Sequence, residues 1–215
     1  MANIDYKPQE FYSKHVKNLW ISAPDDPDAF ERILTFCGSV ENLVLFPRKW
    51  RINPPFIPFL EIPNAGGCLN RLTCKLDVLF PPWSTSINFR YPCFANLTHL
   101  HLYDDDDEWP TYTGFEHLRS LTHLALACCG PQQLAAIMPR LPALKYVALC
   151  HYESTEYGRL TVNCKIPVEV YGNKVVWLQG LKKADWENGA AGQGDFWDMV
   201  EEEVAMRRTV GRAQV

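Results

Sequence analysis

At 215 residues, 47% apolar and 21% charged, the chain has material for one sizeable core and does not have the composition of a disordered tail. A formal net charge of −4 gives no broad basic field, which argues against nucleic acid and anionic membrane surfaces as partners. The opening MANIDYKPQEFYSKHVKNLW lacks the apolar core and cleavage site of a secretory leader, and no run reaches the roughly 18 apolar residues of a membrane span; a cytoplasmic or nuclear compartment is expected.

In chain order, residues 1–15 read as an N-terminal arm, and then one phrase returns. The frame L-x-x-L-x-L occurs at 16–21 (VKNLWI), 40–45 (VENLVL), 69–74 (LNRLTC), 97–102 (LTHLHL), 121–126 (LTHLAL) and 144–149 (LKYVAL). Its central residues Leu19, Leu43, Leu72, Leu100, Leu124 and Val147 are spaced by 24, 29, 28, 24 and 23. Periods of about 20–29 residues with this phrase are those of a leucine-rich repeat. Positions 4 and 6 of each phrase point inward from a short strand and positions 3 and 5 outward. Stacked coils then give an α/β solenoid with a parallel concave sheet and helices or irregular turns on the convex side.

Between phrases, DDPDAFERILTFCG predicts a helix capped by Asp26 and entered by Pro27. Phe30, Ile33, Leu34 and Cys37 form its apolar face, and Gly38 is its left-handed stop. The proline-rich stretch 46–68 reads as an irregular connector that tucks in Phe56, Phe59 and Leu60, and YDDDDEWP at 103–110 as an acidic loop. GPQQLAAIMPRLPAL predicts a second helix through Leu134, Ile137 and Met138. IPVEVYG at 166–172 and NKVVWL at 173–178 offer a last strand or two, and 182–194 reads as a polar loop. From Asp195 as cap, DFWDMVEEEVAMRR predicts a helix over 195–208 that covers the exposed leucines of the last coil through Trp197, Val200 and Val204. The chain is thus expected to be a single repeat domain over 1–215, with repeats at 16–180. The cysteines read as reduced: Cys37 and Cys74 replace core leucines, and Cys128-Cys129 lacks the C-x-x-C spacing of a metal or redox site.

The phrases HVKNLWI, FANLTHLHLYD, GFEHLRSLTHLAL and LPALKYVAL, with the tail DFWDMVEEEVAMRR, resemble the leucine-rich-repeat region of F-box-like proteins of mushroom-forming fungi, over about residues 15–208. In F-box proteins an N-terminal helical module docks on the adaptor of a cullin-type ubiquitin ligase while the repeats choose the substrate. Residues 1–15 lack that module's length and its leucine-proline opening, so the expectation is a repeat domain that does not engage the ubiquitin-ligase adaptor.

The outward positions carry the candidate site. Position 3 reads Asn18, Asn42, Arg71, His99, His123, Tyr146, and position 5 reads Trp20, Val44, Thr73, His101, Ala125, Ala148. One reading is a concave strip of Trp20, Arg71, His99, His101, His123 and Tyr146, with His151 on its rim, that binds a protein partner or a small ligand. For Trp20 the alternative is packing under the N-terminal arm against Phe11 or Tyr12. The other reading is an enzyme of small-molecule metabolism. His99, His101 and His123 would act with Asp104 and Asp105 in acid–base chemistry, or the three imidazoles would bind zinc and leave one position for water. No cofactor other than this possible zinc is implied, and none of the standard nucleotide-binding or hydrolase motifs occurs.

Overall fold

The computed structural model describes residues 7–22, 27–46, 57–60, 68–80, 87–103, 112–127, 129–152, 174–181, 183–190 and 193–212. In chain order the strands are β1 (Asn18–Ser22), β2 (Asn42–Phe46), β3 (Arg71–Cys74), β4 (His99–Leu102), β5 (His123–Leu126), β6 (Tyr146–Tyr152) and β7 (Val175–Leu181). The helices are α1 (Gln9–His15), α2 (Pro27–Phe36), α3 (Ile57–Leu60), α4 (Leu76–Leu79), α5 (Pro131–Ile137), α6 (Lys183–Ala190) and α7 (Phe196–Arg212).

Each L-x-x-L-x-L phrase places a strand at its third residue, and the strands form one parallel seven-stranded sheet in sequence order, an α/β architecture. The register aligns the phrases position for position: Asn18, Asn42, Arg71, His99, His123 and Tyr146 lie side by side. At every junction one carbonyl takes two N–H groups of the next phrase. Lys17 accepts from Glu41 and Asn42, Glu41 from Asn70 and Arg71, Asn70 from Thr98 and His99, Thr98 from Thr122 and His123, and Thr122 from Lys145 and Tyr146. This recurring contact fixes the register that the side-chain alternation needs, because a slip of one residue would turn every leucine to the other face.

On the leucine face, positions 4 and 6 are buried from Leu43 and Leu45 through Val147 and Leu149, beneath α2, α5 and the connecting segments. Burial of each such side chain contributes about 1.5–3 kcal/mol. Phe80, Phe89, Phe94 and Phe115 fill the connectors between β3 and β5, with Phe89 5.0 Å from Phe115 and 5.5 Å from Phe94 between ring centroids. Pro27 opens α2, which buries Phe30 and Leu34 and is followed by the buried Cys37, while Ile33 remains 36% exposed. Gly38 does not take the left-handed conformation expected of it; among the described glycines Gly114 and Gly194 do. Asp26, Phe56, residues 104–111 and 166–172 lie outside the described residues.

The other face departs from expectation in two ways. Residues 183–190, expected as a polar loop, form α6, whose buried Trp186 supplies a tertiary anchor that local periodicity does not reveal. α7 runs to Arg212 and packs on the outward face of the last strands, Leu178 of β7 included. It lies across the face that carries the histidines, and with α6 forms a second apolar cluster there: Trp186, Phe196, Trp197, Val200 and Val204 against Ala125, Ala148, Cys150, Val176 and Leu178. The physical reason is in the outward positions themselves, where small and apolar residues from β5 to β7 make a seat that a polar solvent-facing strip would not.

Polar contacts tie both ends of α7 down. Asp195 Oδ1 accepts from the backbone N–H groups of Trp197 and Asp198, and Asp198 Oδ2 accepts in return from the N–H of Asp195. That reciprocal arrangement is a capping box. Arg71 Nη1 donates to Asp195 Oδ2 from β3, and Arg207 Nη1 donates to the Val175 carbonyl of β7 at 3.1 Å. The helix therefore spans the sheet from β3 to β7.

Gly189, near the end of α6, permits the close approach of Asp195 at the start of α7. A Cβ on it would sit 2.4 Å from Asp195 Cβ. Alanine normally favours a helix over glycine by about 1 kcal/mol, but here the overlap wins. Gly189→Ala is expected to destabilise by about 1–3 kcal/mol in urea unfolding; a rise in stability would show that the two helices do not meet in this way.

Candidate functional site

His99 and His123 are each set by the threonine before them. Thr98 Oγ1 donates to the Asn70 carbonyl at 3.1 Å and lies 2.8 Å from His99 Nδ1. Thr122 Oγ1 repeats this with the Thr98 carbonyl at 3.1 Å and His123 Nδ1 at 2.8 Å. A hydroxyl has one proton to give. With that proton on the carbonyl, each imidazole donates from Nδ1 and leaves Nε2 bare. The two rings stack, 4.1 Å between centroids and 10° apart, under the edge of Trp197.

His101 is wholly buried, its ring nearly parallel to that of Trp186, and it accepts the indole N–H at Nδ1 over 3.3 Å. Phe196 and Tyr103 also lie against it, 5.1 Å and 6.1 Å away between ring centroids. Burial holds His101 in the neutral form and lowers its pKa to about 3. His99 is also lowered to about 3, by burial first and then by the neighbouring His123 and Arg71. Burial lowers His123 too, against an opposing pull from Glu201. His123 Nε2 lies 3.2 Å from Glu201 Oε1 without the alignment of a hydrogen bond. In the Nδ1–H tautomer that nitrogen is bare and has nothing to donate, so the contact becomes an ion pair only when the ring is protonated.

The structure thus gathers His99, His101 and His123 on one face, with Tyr146 5.0 Å from His123 between ring centroids, and covers them with α6 and α7. Trp20 is partly buried and packs against that second cluster instead of standing free. Arg71 sits at the margin, its side chain 40% exposed and paired with Asp195. His151 lies in β6 opposite Gln179 of β7, and Asp104 and Asp105 fall outside the described residues. Among the described residues no group of three His, Cys, Asp or Glu side chains is arranged to hold a metal ion. Nor is any described helix long and apolar enough to cross a membrane.

Trp186, Asp195, Phe196 and Glu201 are the site residues that strand periodicity does not reveal. The available signal was a tryptophan alone in a polar, small-residue stretch, followed by an aromatic pair directly after a helix cap.

One part of the face stays open. Asn18, Asn42 and Arg71 lie in register on β1–β3, and Asn42 Nδ2 donates to Asn18 Oδ1. Beside them is a recess of about 50 Å³, walled by Thr73 and Val44 from the sheet and by Trp186, Asp195 and Trp197 from the helices. Burial raises the pKa of Asp195, with Asp198 adding to the rise, while Arg71 and the backbone N–H groups of Trp197 and Asp198 oppose it.

No family model, curated protein or solved structure matches the chain.

Proposed function

We propose that the chain is a leucine-rich-repeat solenoid of the kind found in F-box-like proteins of mushroom-forming fungi, acting as an interaction module. Its protein partner would lie as an extended segment across β1–β3. The repeat reading is supported by six phrases in register, by strands paired in sequence order, and by the carbonyl contact that recurs at each junction.

The observation that carries the binding reading is the accessible row Asn18–Asn42–Arg71 on a face otherwise covered by α6 and α7. Neighbouring strands are about 4.8 Å apart, so the row spans roughly three residues of an extended chain at about 3.3 Å each. Carboxamides present both a donor and an acceptor, which suits a peptide backbone. The enzyme reading has less behind it: His101 is sealed from solvent, and the rings of His99 and His101 are held neutral well below their ordinary range. Chemistry there would first require α6 and α7 to lift.

A displayed library of linear peptides, selected on the whole chain, tests the module. Enriched peptides are expected to lose at least about tenfold in affinity, or about 1.4 kcal/mol, on the Asn18→Ala/Asn42→Ala variant. Failure to enrich any sequence, or enrichment indifferent to both asparagines, would count against this surface.

A further inference from the structure

The open recess has a specific complement of unused polar atoms. Thr73 is 6% exposed and lines the recess, and its hydroxyl has no hydrogen-bond partner among the described residues. Arg71 commits Nη1 to Asp195 and leaves Nε and Nη2 without a described partner. Asn42 gives its Nδ2 to Asn18, and its Oδ1 is left as an acceptor. Donors and acceptors therefore belong to residues that line the same small space.

The charges facing it cancel. Arg71 and Asp195 are paired at its edge, so an anion entering meets Asp195 and a cation meets Arg71. The indoles of Trp186 and Trp197 are among the groups that line it, and aromatic rings suit a planar ligand. Size agrees as well: a water needs about 10–15 Å³ of such space, so the recess of about 50 Å³ takes roughly four heavy atoms.

We propose that this recess is a subsite for a neutral amide group, bound by Arg71 and Thr73 on its carbonyl side and by Asn42 Oδ1 on its N–H side. This deepens the interaction-module reading and rests on it. Two sources share that chemistry, a peptide backbone and the side-chain carboxamide of Asn or Gln.

Acetamide, acetate and acetamidinium have nearly the same shape and differ in charge, which makes them a direct test. The three are titrated into the ¹⁵N-labelled full chain, read at the Arg71 Nε–H and the Trp186 and Trp197 indole resonances. Acetamide is expected to saturate at least about fivefold more tightly than either ion. Thr73→Val, which keeps the shape and removes the hydroxyl, is expected to weaken it by a similar factor, about fivefold, with the thermal midpoint retained. N-methylacetamide binding tighter than propionamide points to a backbone source, and the reverse order to a side chain; both orders support the amide assignment. Tighter binding of acetate or acetamidinium, no saturation by any amide, or indifference to Thr73→Val overturns it. If the amides fail while library peptides still depend on Asn18 and Asn42, the module stands and only this assignment falls.

Discussion

Truncation of Trp197 to alanine is expected to lower the free energy of unfolding by about 3–5 kcal/mol, one of the two largest effects foreseen for this chain. Trp197 is 5% exposed, packs 4.3 Å from Phe196 between ring centroids and lies over both His99 and His123. Its loss leaves a cavity between helix and sheet that neither the capping box nor the Arg207 contact can close. Met199, on the same helix and 45% exposed, is the control: its truncation should stay within about 0.5 kcal/mol. Urea unfolding of both variants measures the difference. NMR titration of Trp197→Ala should also show the pKa values of His99 and His123 rising toward the ordinary imidazole value as water reaches them. A loss under about 1 kcal/mol would mean that α7 is not packed on the sheet as described.

Acid should weaken the fold well before its carboxylates protonate. An unfolded imidazole titrates near 6.5, while His99 and His101 are held near 3 in the folded chain. Between those values the unfolded chain binds more protons, so stability is full above about pH 6.5 and is lost as the pH falls toward about 3. At pH 5 each of the two rings removes about 2 kcal/mol. The groups facing them set the sign. His99 meets Arg71 and His123; His101 meets Trp186, Phe196 and Tyr103, none of which provides a counter-charge. His123 faces Glu201 as well as Lys145 and Arg71, and protonation there gains an ion pair that offsets part of the cost. Urea midpoints measured from about pH 7.5 down to about pH 5 should fall steadily. His101→Gln, which keeps an acceptor for the Trp186 indole, should flatten the curve by that ring's share. A midpoint level across this range would falsify the buried neutral assignment.

The strands are legible because the leucine phrase carries its own register: one apolar pattern repeated at 16–21 through 144–149 is enough to place six strands and align their outward residues. The clustering of His99, His101 and His123 followed from the same arithmetic. What covers them did not. α6 has a single buried tryptophan and no strong apolar stripe, so its helicity depends on a partner surface that local pattern cannot show. The apolar face of α7 was visible in Trp197, Val200 and Val204, but an amphipathic stripe says only that something is covered. Ala125, Ala148 and Val176 made the histidine face the better seat, and recognising that required reading the outward positions as a packing surface instead of a binding strip.

Among the described residues each strand of the sheet bonds only to its sequence neighbours, so taken alone the sheet could fray inward from either edge, one strand at a time. α7 changes that, because a single rigid rod bridges Arg71 on the third strand and Val175 on the seventh. Loss of any strand between them costs the rod its seat, and loss of the rod exposes all of them together. The helix acts as a clamp on cooperativity: the span from β3 to β7 should open in amide exchange as one unit, while β1 and β2, outside the two polar ties at Arg71 and Val175, exchange earlier.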